Sequence, residues 1–158
     1  MGQEGANLDR RVGYAAKRLQ QAVRTAGDQV LRPIGLTMPQ YAVLAVLTEC
    51  PGLSNSELAR TCFVTRQTMN ELLVGLQRAG LVSRETHPRD GRVQRTELTE
   101  AGRDLAGRGT SVLTGIEERM TVGLTDAQQQ QLLELMRICT SNLERQDRSA
   151  PGTWSART

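Results

Sequence analysis

Apolar residues recur every three or four positions at the start of the chain, at Leu8, Val12, Ala15, Leu19, Ala22, Ala26 and Val30. That spacing predicts one amphipathic helix over about residues 8 to 32, stopped by Pro33, with Arg10, Arg11, Lys17, Arg18 and Arg24 mostly off the stripe. So long a stripe this early in the chain needs a partner to bury it. Thr37-Met38-Pro39-Gln40 has the form of a capping box and opens a second helix. Tyr41, Val43, Leu44, Val46 and Leu47 make that helix apolar nearly all round, hence central, and Pro51-Gly52 ends it. A second capping box, Ser54-Asn55-Ser56-Glu57, launches a short helix to about Cys62. Thr65 caps a third helix from Arg66 to about Ala79, and Gly80 stands where a left-handed cap is expected. Two short helices joined by a tight turn make a helix-turn-helix.

After Gly80 the period changes. Leu81–Thr86 and Arg92–Leu98 read as strands, with His87-Pro88-Arg89-Asp90-Gly91 as the turn between them. Thr99 caps a helix carrying Leu105, Val112, Leu113, Ile116 and Met120, in which Gly102, Gly107, Gly109 and Gly115 predict a bend or fraying. Thr125 and Gln128 form another capping box, and the last stripe is Leu132, Leu135, Met136, Cys139 and Leu143. The fold class is therefore mainly α, with one small β-hairpin.

Composition narrows the function. With 38% hydrophobic and 23% charged residues the chain is globular rather than disordered. No apolar run approaches the ~20 residues of a membrane span, and no signal-peptide core is seen at the N-terminus, so a cytoplasmic protein is expected. Cys50, Cys62 and Cys139 are odd in number and widely spaced, and His87 is the single histidine. Neither a disulfide scaffold, a metal site, a cofactor nor histidine-dependent catalysis is expected. Nineteen of the 20 basic residues are Arg, which suits phosphate and guanine recognition, although a GC-rich genome has the same effect. Residues 65–95 hold six Arg against three acids, a net +3, whereas residues 99–148 hold six against eight, a net −2.

From Leu36-Thr37-Met38-Pro39-Gln40-Tyr41-Ala42-Val43-Leu44 onward the chain resembles the multiple antibiotic resistance regulator (MarR) family. The resemblance continues through Ser54–Arg60 and Gly80–Arg84, and is strongest at Asp90-Gly91-Arg92 followed by Leu98-Thr99-Glu100-Ala101-Gly102. It implies a winged helix-turn-helix transcription regulator, often a repressor, acting as a homodimer on double-stranded DNA with a small aromatic or phenolic effector. The domains expected are an N-terminal dimerisation helix over 1–35, the winged module over 36–98, C-terminal dimerisation helices over 99–148 and a flexible tail over 149–158.

A recognition helix presents its N-terminal residues to base edges in the major groove. Met69, Leu72, Leu73 and Leu76 mark the buried face, leaving Thr65, Arg66, Gln67, Thr68 and Asn70 as candidate DNA contacts. Arg can read guanine, and Gln or Asn can read adenine, in bidentate fashion. Ser54 and Asn55 are placed to meet a phosphate at a helix N-terminus, or simply to cap it. Arg84 is a further candidate. In the wing, Arg92 is assigned to the minor groove, Asp90 to orienting it and Arg89 to the flanking phosphates. Glu71, Val74 and Gly75 stand where many relatives carry charges. Glu71 facing DNA would repel phosphate, so either the helix is rotated or Glu71 pairs with an Arg.

Tyr14, Met38 and Tyr41 are candidate effector-pocket residues, with core packing as the competing role. Cys62 is the candidate for redox sensing, against the role of a small buried apolar residue. The competing functions are a winged module that binds protein, and a cysteine-based redox regulator of the same fold.

Overall fold

The computed structural model describes the backbone of residues 8, 10–87 and 90–149, and the side chains among them except 86–93 and 146–149. Two compact units result, Met1–Met120 and Thr121–Thr158. The first begins with α1 (Val12–Leu31). Pro33 lies in a 3-10 turn, Arg32–Ile34, which Gly35 closes with φ +80.

Thr37 then caps α2 (Met38–Glu49) through the expected reciprocal box with Gln40. Asp28 adds a tie from α1, its Oδ1 accepting from the Met38 N–H at 2.7 Å. Val43, Leu44 and Leu47 of α2 are buried, so this helix is the centre of the core. Around it pack Leu58 of α3 (Asn55–Thr61) and Met69, Leu73 and Leu76 of α4 (Arg66–Arg78).

Three strands complete the module, β1 (Leu53–Ser54), β2 (Val82–His87) and β3 (Asp90–Leu98), antiparallel in the order β1-β3-β2. The hairpin expected from sequence is thus one strand short, because Leu53 pairs with Thr96 and Ser54 with Arg95. Strand pairing also extends further than expected, reaching His87 and resuming at Asp90, with an irregularity after Thr86.

Leading into α5 (Glu100–Thr121), the Thr99 hydroxyl accepts from the Gly102 N–H at 3.0 Å and donates to the Gly80 carbonyl at 2.7 Å. The helix runs unbroken through its four glycines rather than fraying. Two of them have a packing reason. A Cβ at Gly102 would strike the Leu81 carbonyl, and one at Gly109 would come within 2.6 Å of the Tyr41 ring.

In the second unit, α6 (Asp126–Ser149) starts at a box in which Thr125 N–H donates to Gln128 and Gln128 N–H donates to Thr125. Its Leu132, Leu133, Leu135, Met136, Ile138 and Leu143 are exposed. Among the described residues no single helix is long and apolar enough to cross a membrane.

Candidate nucleic-acid interface

The helix-turn-helix is held by short-range chemistry at both of its helix starts. Ser54 N–H and Oγ both donate to Glu57 Oε2, at 2.8 and 2.6 Å, and Ser54 Oγ accepts the Glu57 N–H in return. The Ser54 side chain is therefore a cap, and the half-buried Asn55 beside it has an Oδ1 buried without a hydrogen-bond partner. At the second start, Thr65 Oγ1 accepts the Thr68 N–H at 3.1 Å and lies 2.9 Å from the Thr68 hydroxyl.

From that cap α4 divides cleanly. Met69, Leu73 and Leu76 are wholly buried and Leu72 half-buried, while Thr65, Arg66, Gln67, Thr68 and Asn70 are exposed together. These five lie around the exposed first turn of the helix rather than on a single face, since consecutive positions are about 100° apart. Glu71 is exposed on the same helix, and its hydrogen-bond partner is Gln67 Nε2 at 3.4 Å rather than an arginine. Val74 is half-buried and Gly75 open to solvent.

The sheet is tied to α3 by Arg95, a residue that sequence reasoning did not single out. Its Nη1 donates to Glu57 Oε2 at 2.9 Å and to the Gly52 carbonyl at 3.1 Å. Glu57 Oε2 so receives two donors from Ser54 and one from Arg95. The Ser54 hydrogen bonds first, and Arg95 beside them, hold the Glu57 carboxyl below the usual carboxylate range. The signal available in sequence was the alternation of β3, which puts Arg95 and Glu97 on one face; its partner 38 positions away was not legible.

Arg84 lies opposite Thr96 across β2 and β3, so the two share a sheet face. Thr96 is fully buried, and Arg84 is half-buried with an Nε that has no hydrogen-bond partner. Arg84 is thus less open than the α4 group. Arg89 and the side chains of Asp90 and Arg92 lie outside the described residues.

The pocket candidates separate. Tyr41 OH lies 3.1 Å from the Thr110 hydroxyl, its ring over Gly109, and Met38 packs against Gly27. Tyr14 is exposed on α1, thirteen residues before Gly27 and so about 20 Å from it along the helix. One protomer does not bring the three together. A surface groove of about 500 Å³ runs along α1, lined by Arg18, Gln21, Ala22, Thr25, Ala26 and Gln29, none of them a pocket candidate. Cys62 is half-buried, and burial pushes its thiol pKa up, the opposite of an activated thiolate. Cys50 and Cys139 are free and exposed.

Comparison with known proteins agrees with this geometry. The MarR family model matches residues 34–93. The HTH-type transcriptional repressor Rv2887 of Mycobacterium tuberculosis is 37% identical over 128 residues, covering 81% of this chain and 92% of that protein. A crystal structure of Rv2887 with p-aminosalicylic acid has a TM-score of 0.68 at 34% identity, covering 82% of this chain and 98% of that one. The transcriptional repressor CouR bound to a 23-mer DNA duplex has a TM-score of 0.78 at 30% identity, covering 84% and 94%. With a winged helix-turn-helix of this form and a repressor matched over nearly its whole length, the chain belongs to the MarR family of transcriptional regulators.

Proposed function

We propose that the chain is a homodimeric, sequence-specific DNA-binding repressor that recognises a pseudo-palindromic operator. The observation that carries this reading is the exposed first turn of α4, with Thr65, Arg66, Gln67, Thr68 and Asn70 around its capped start and Met69, Leu73 and Leu76 fully buried behind it. α4 enters the major groove, the wing with Arg89, Asp90 and Arg92 follows the adjacent minor groove, and two-fold symmetry sets half-sites roughly 10 bp apart. The helices over 1–35 and 99–148 supply the dimer contacts around the winged module over 36–98. The role is binding, not catalysis, and its place is the cytoplasm, with the DNA.

The effector is a small aromatic acid or phenol. Support comes from the p-aminosalicylic acid held by Rv2887, and from Met38 and Tyr41, which sit where α2 meets α1 and α5. Tyr14 contributes only if a second copy brings it near. The raised Cys62 thiol weighs against redox control through that residue.

Fluorescence anisotropy on a duplex selected from a random pool tests the reading. Specific binding should exceed random-duplex binding by roughly 10³-fold or more. Arg66→Ala and Gln67→Ala should each lose about 1–3 kcal/mol of discrimination at particular base pairs. Equal weakening on operator and random DNA would assign these side chains to phosphates, and no selectivity in the wild type would overturn the function.

A further inference from the structure

Phe63 stands in the turn between α3 and α4 with a left-handed backbone, φ +55, and is 92% exposed. Both features are unfavourable. The left-handed region brings Cβ against the backbone, and an aromatic ring left in water forfeits its burial. Its neighbours behave otherwise, since Cys62 and Val64 both pack against the core. The fold therefore gains nothing visible from Phe63 within the protomer. Glycine would adopt the same backbone without the Cβ clash.

The residues that flank Phe63 along the chain suit a polyanion. Arg60, three residues before, and Arg66, three residues after, are both exposed. Thr65, two residues after, caps the helix whose start carries the polar face. An apolar group between two cations at this place matches duplex DNA, with phosphates for the arginines and an apolar group at the groove edge for the ring. The major groove offers one such group, the thymine C5-methyl, and phenylalanine is among the side chains that contact it.

We propose that Phe63 is a specificity-determining residue that packs on a thymine C5-methyl in each operator half-site. The assignment rests on the DNA-binding function above. Its test uses the full-length protein, the selected operator, and operators in which each thymine in turn is replaced by deoxyuridine, which lacks the methyl. At one position per half-site the wild type should lose roughly fourfold in affinity, the worth of one buried methyl. Phe63→Gly should bind the thymine and deoxyuridine forms of that operator equally, at or below the weaker wild-type value, with random-duplex affinity unchanged. Its Tm should equal or exceed that of the wild type, because glycine relieves the left-handed backbone; a structural role would lower it. Phe63→Asn, which tolerates the same backbone, should repeat the binding result.

Unchanged operator affinity in Phe63→Gly overturns the assignment and leaves the ring for a protein partner. A loss shared equally by operator and random DNA overturns it too, as does a deoxyuridine penalty that persists in the variant. A wild type that selects no duplex is a different failure, because it removes the DNA-binding function itself.

Discussion

The four glycines of α5 fall into two kinds by their surroundings. At Gly102 a methyl group would enter the Leu81 carbonyl, which is backbone and cannot swing aside, and at Gly109 it would press on a Tyr41 ring already fixed to Thr110. Gly107 and Gly115 have nothing within 4 Å. Gly107→Ala and Gly115→Ala should thus each stabilise the protein by up to about 1 kcal/mol through helix propensity. Gly102→Ala should destabilise by roughly 1–3 kcal/mol, as overpacking does, with Gly109→Ala in the same direction. Urea unfolding of the four variants checks this, and a uniform response would show that close approach is not what separates them. The caps at Thr37, Ser54 and Thr125 are legible in sequence because each is settled within four residues by a hydroxyl and a Glu or Gln. The two kinds of glycine are not, since only the chain packed against them tells Gly102 from Gly107. Phe63 escapes for a related reason: a left-handed turn is ordinarily announced by glycine, as at Gly80 with φ +70, and here an aromatic takes the position.

Between elements, the least expected feature is the tie from β3 through Arg95 to Glu57 and Gly52, which seats the root of the wing on the start of α3. Local pattern reveals the hairpin strands, which alternate over several residues. It does not reveal β1, two residues long and defined only by pairing with Thr96 and Arg95 some 40 positions on. The pair is partly exposed, 40% for Arg95 and 37% for Glu57, so its contribution to stability should be small, about 0–1 kcal/mol. Its contribution to geometry is larger, because the proposed function has wing and α4 meet one duplex together. Arg95→Ala should therefore cost little in Tm but lower operator affinity by more than random-duplex affinity. Acid should act in the same way. The folded Glu57 carboxyl is held below its unfolded value, so the stabilisation is full above about pH 4.3 and is lost as pH falls through the lowered folded value. Against Glu57→Gln, the wild type should hold its advantage above that pH and lose it below. Unfolding midpoints of both proteins across the acid range measure the gap, and a gap independent of pH would mean that the charge contributes nothing.

For the whole molecule the question is what covers α6. Leu133 (54% exposed), Leu135 (52%), Ile138 (49%) and Leu143 (72%) lie in water on a helix of 24 residues. An isolated helix of this kind is marginal, and helical stability in proteins comes mostly from burying an apolar face. Near the other end of the chain, α1 exposes Val12 (73%) and Tyr14 (39%) and carries a groove over Ala22 and Ala26. The apolar stripes of both helices are legible in sequence, but periodicity says only that a face must be buried and is silent on whether its cover belongs to the same copy. A closed two-fold pair is the commonest solution, and it is the one by which the proposed function would place two α4 helices on a single duplex. Light scattering at micromolar concentration should accordingly give twice 17.4 kDa, about 35 kDa. Leu135→Glu should shift the mass toward one copy, since a buried carboxylate without a partner is strongly unfavourable at an interface. Because a single winged module makes only half of the phosphate contacts, the same variant should lose operator binding and show a shallower dependence of affinity on salt. The winged module should remain folded in it, since the core cluster built on Val43, Leu44 and Leu47 consists of residues of the first unit. A wild-type mass near 17 kDa, or Leu135→Glu binding the operator as a full dimer, would put the cover of α6 somewhere other than a second copy.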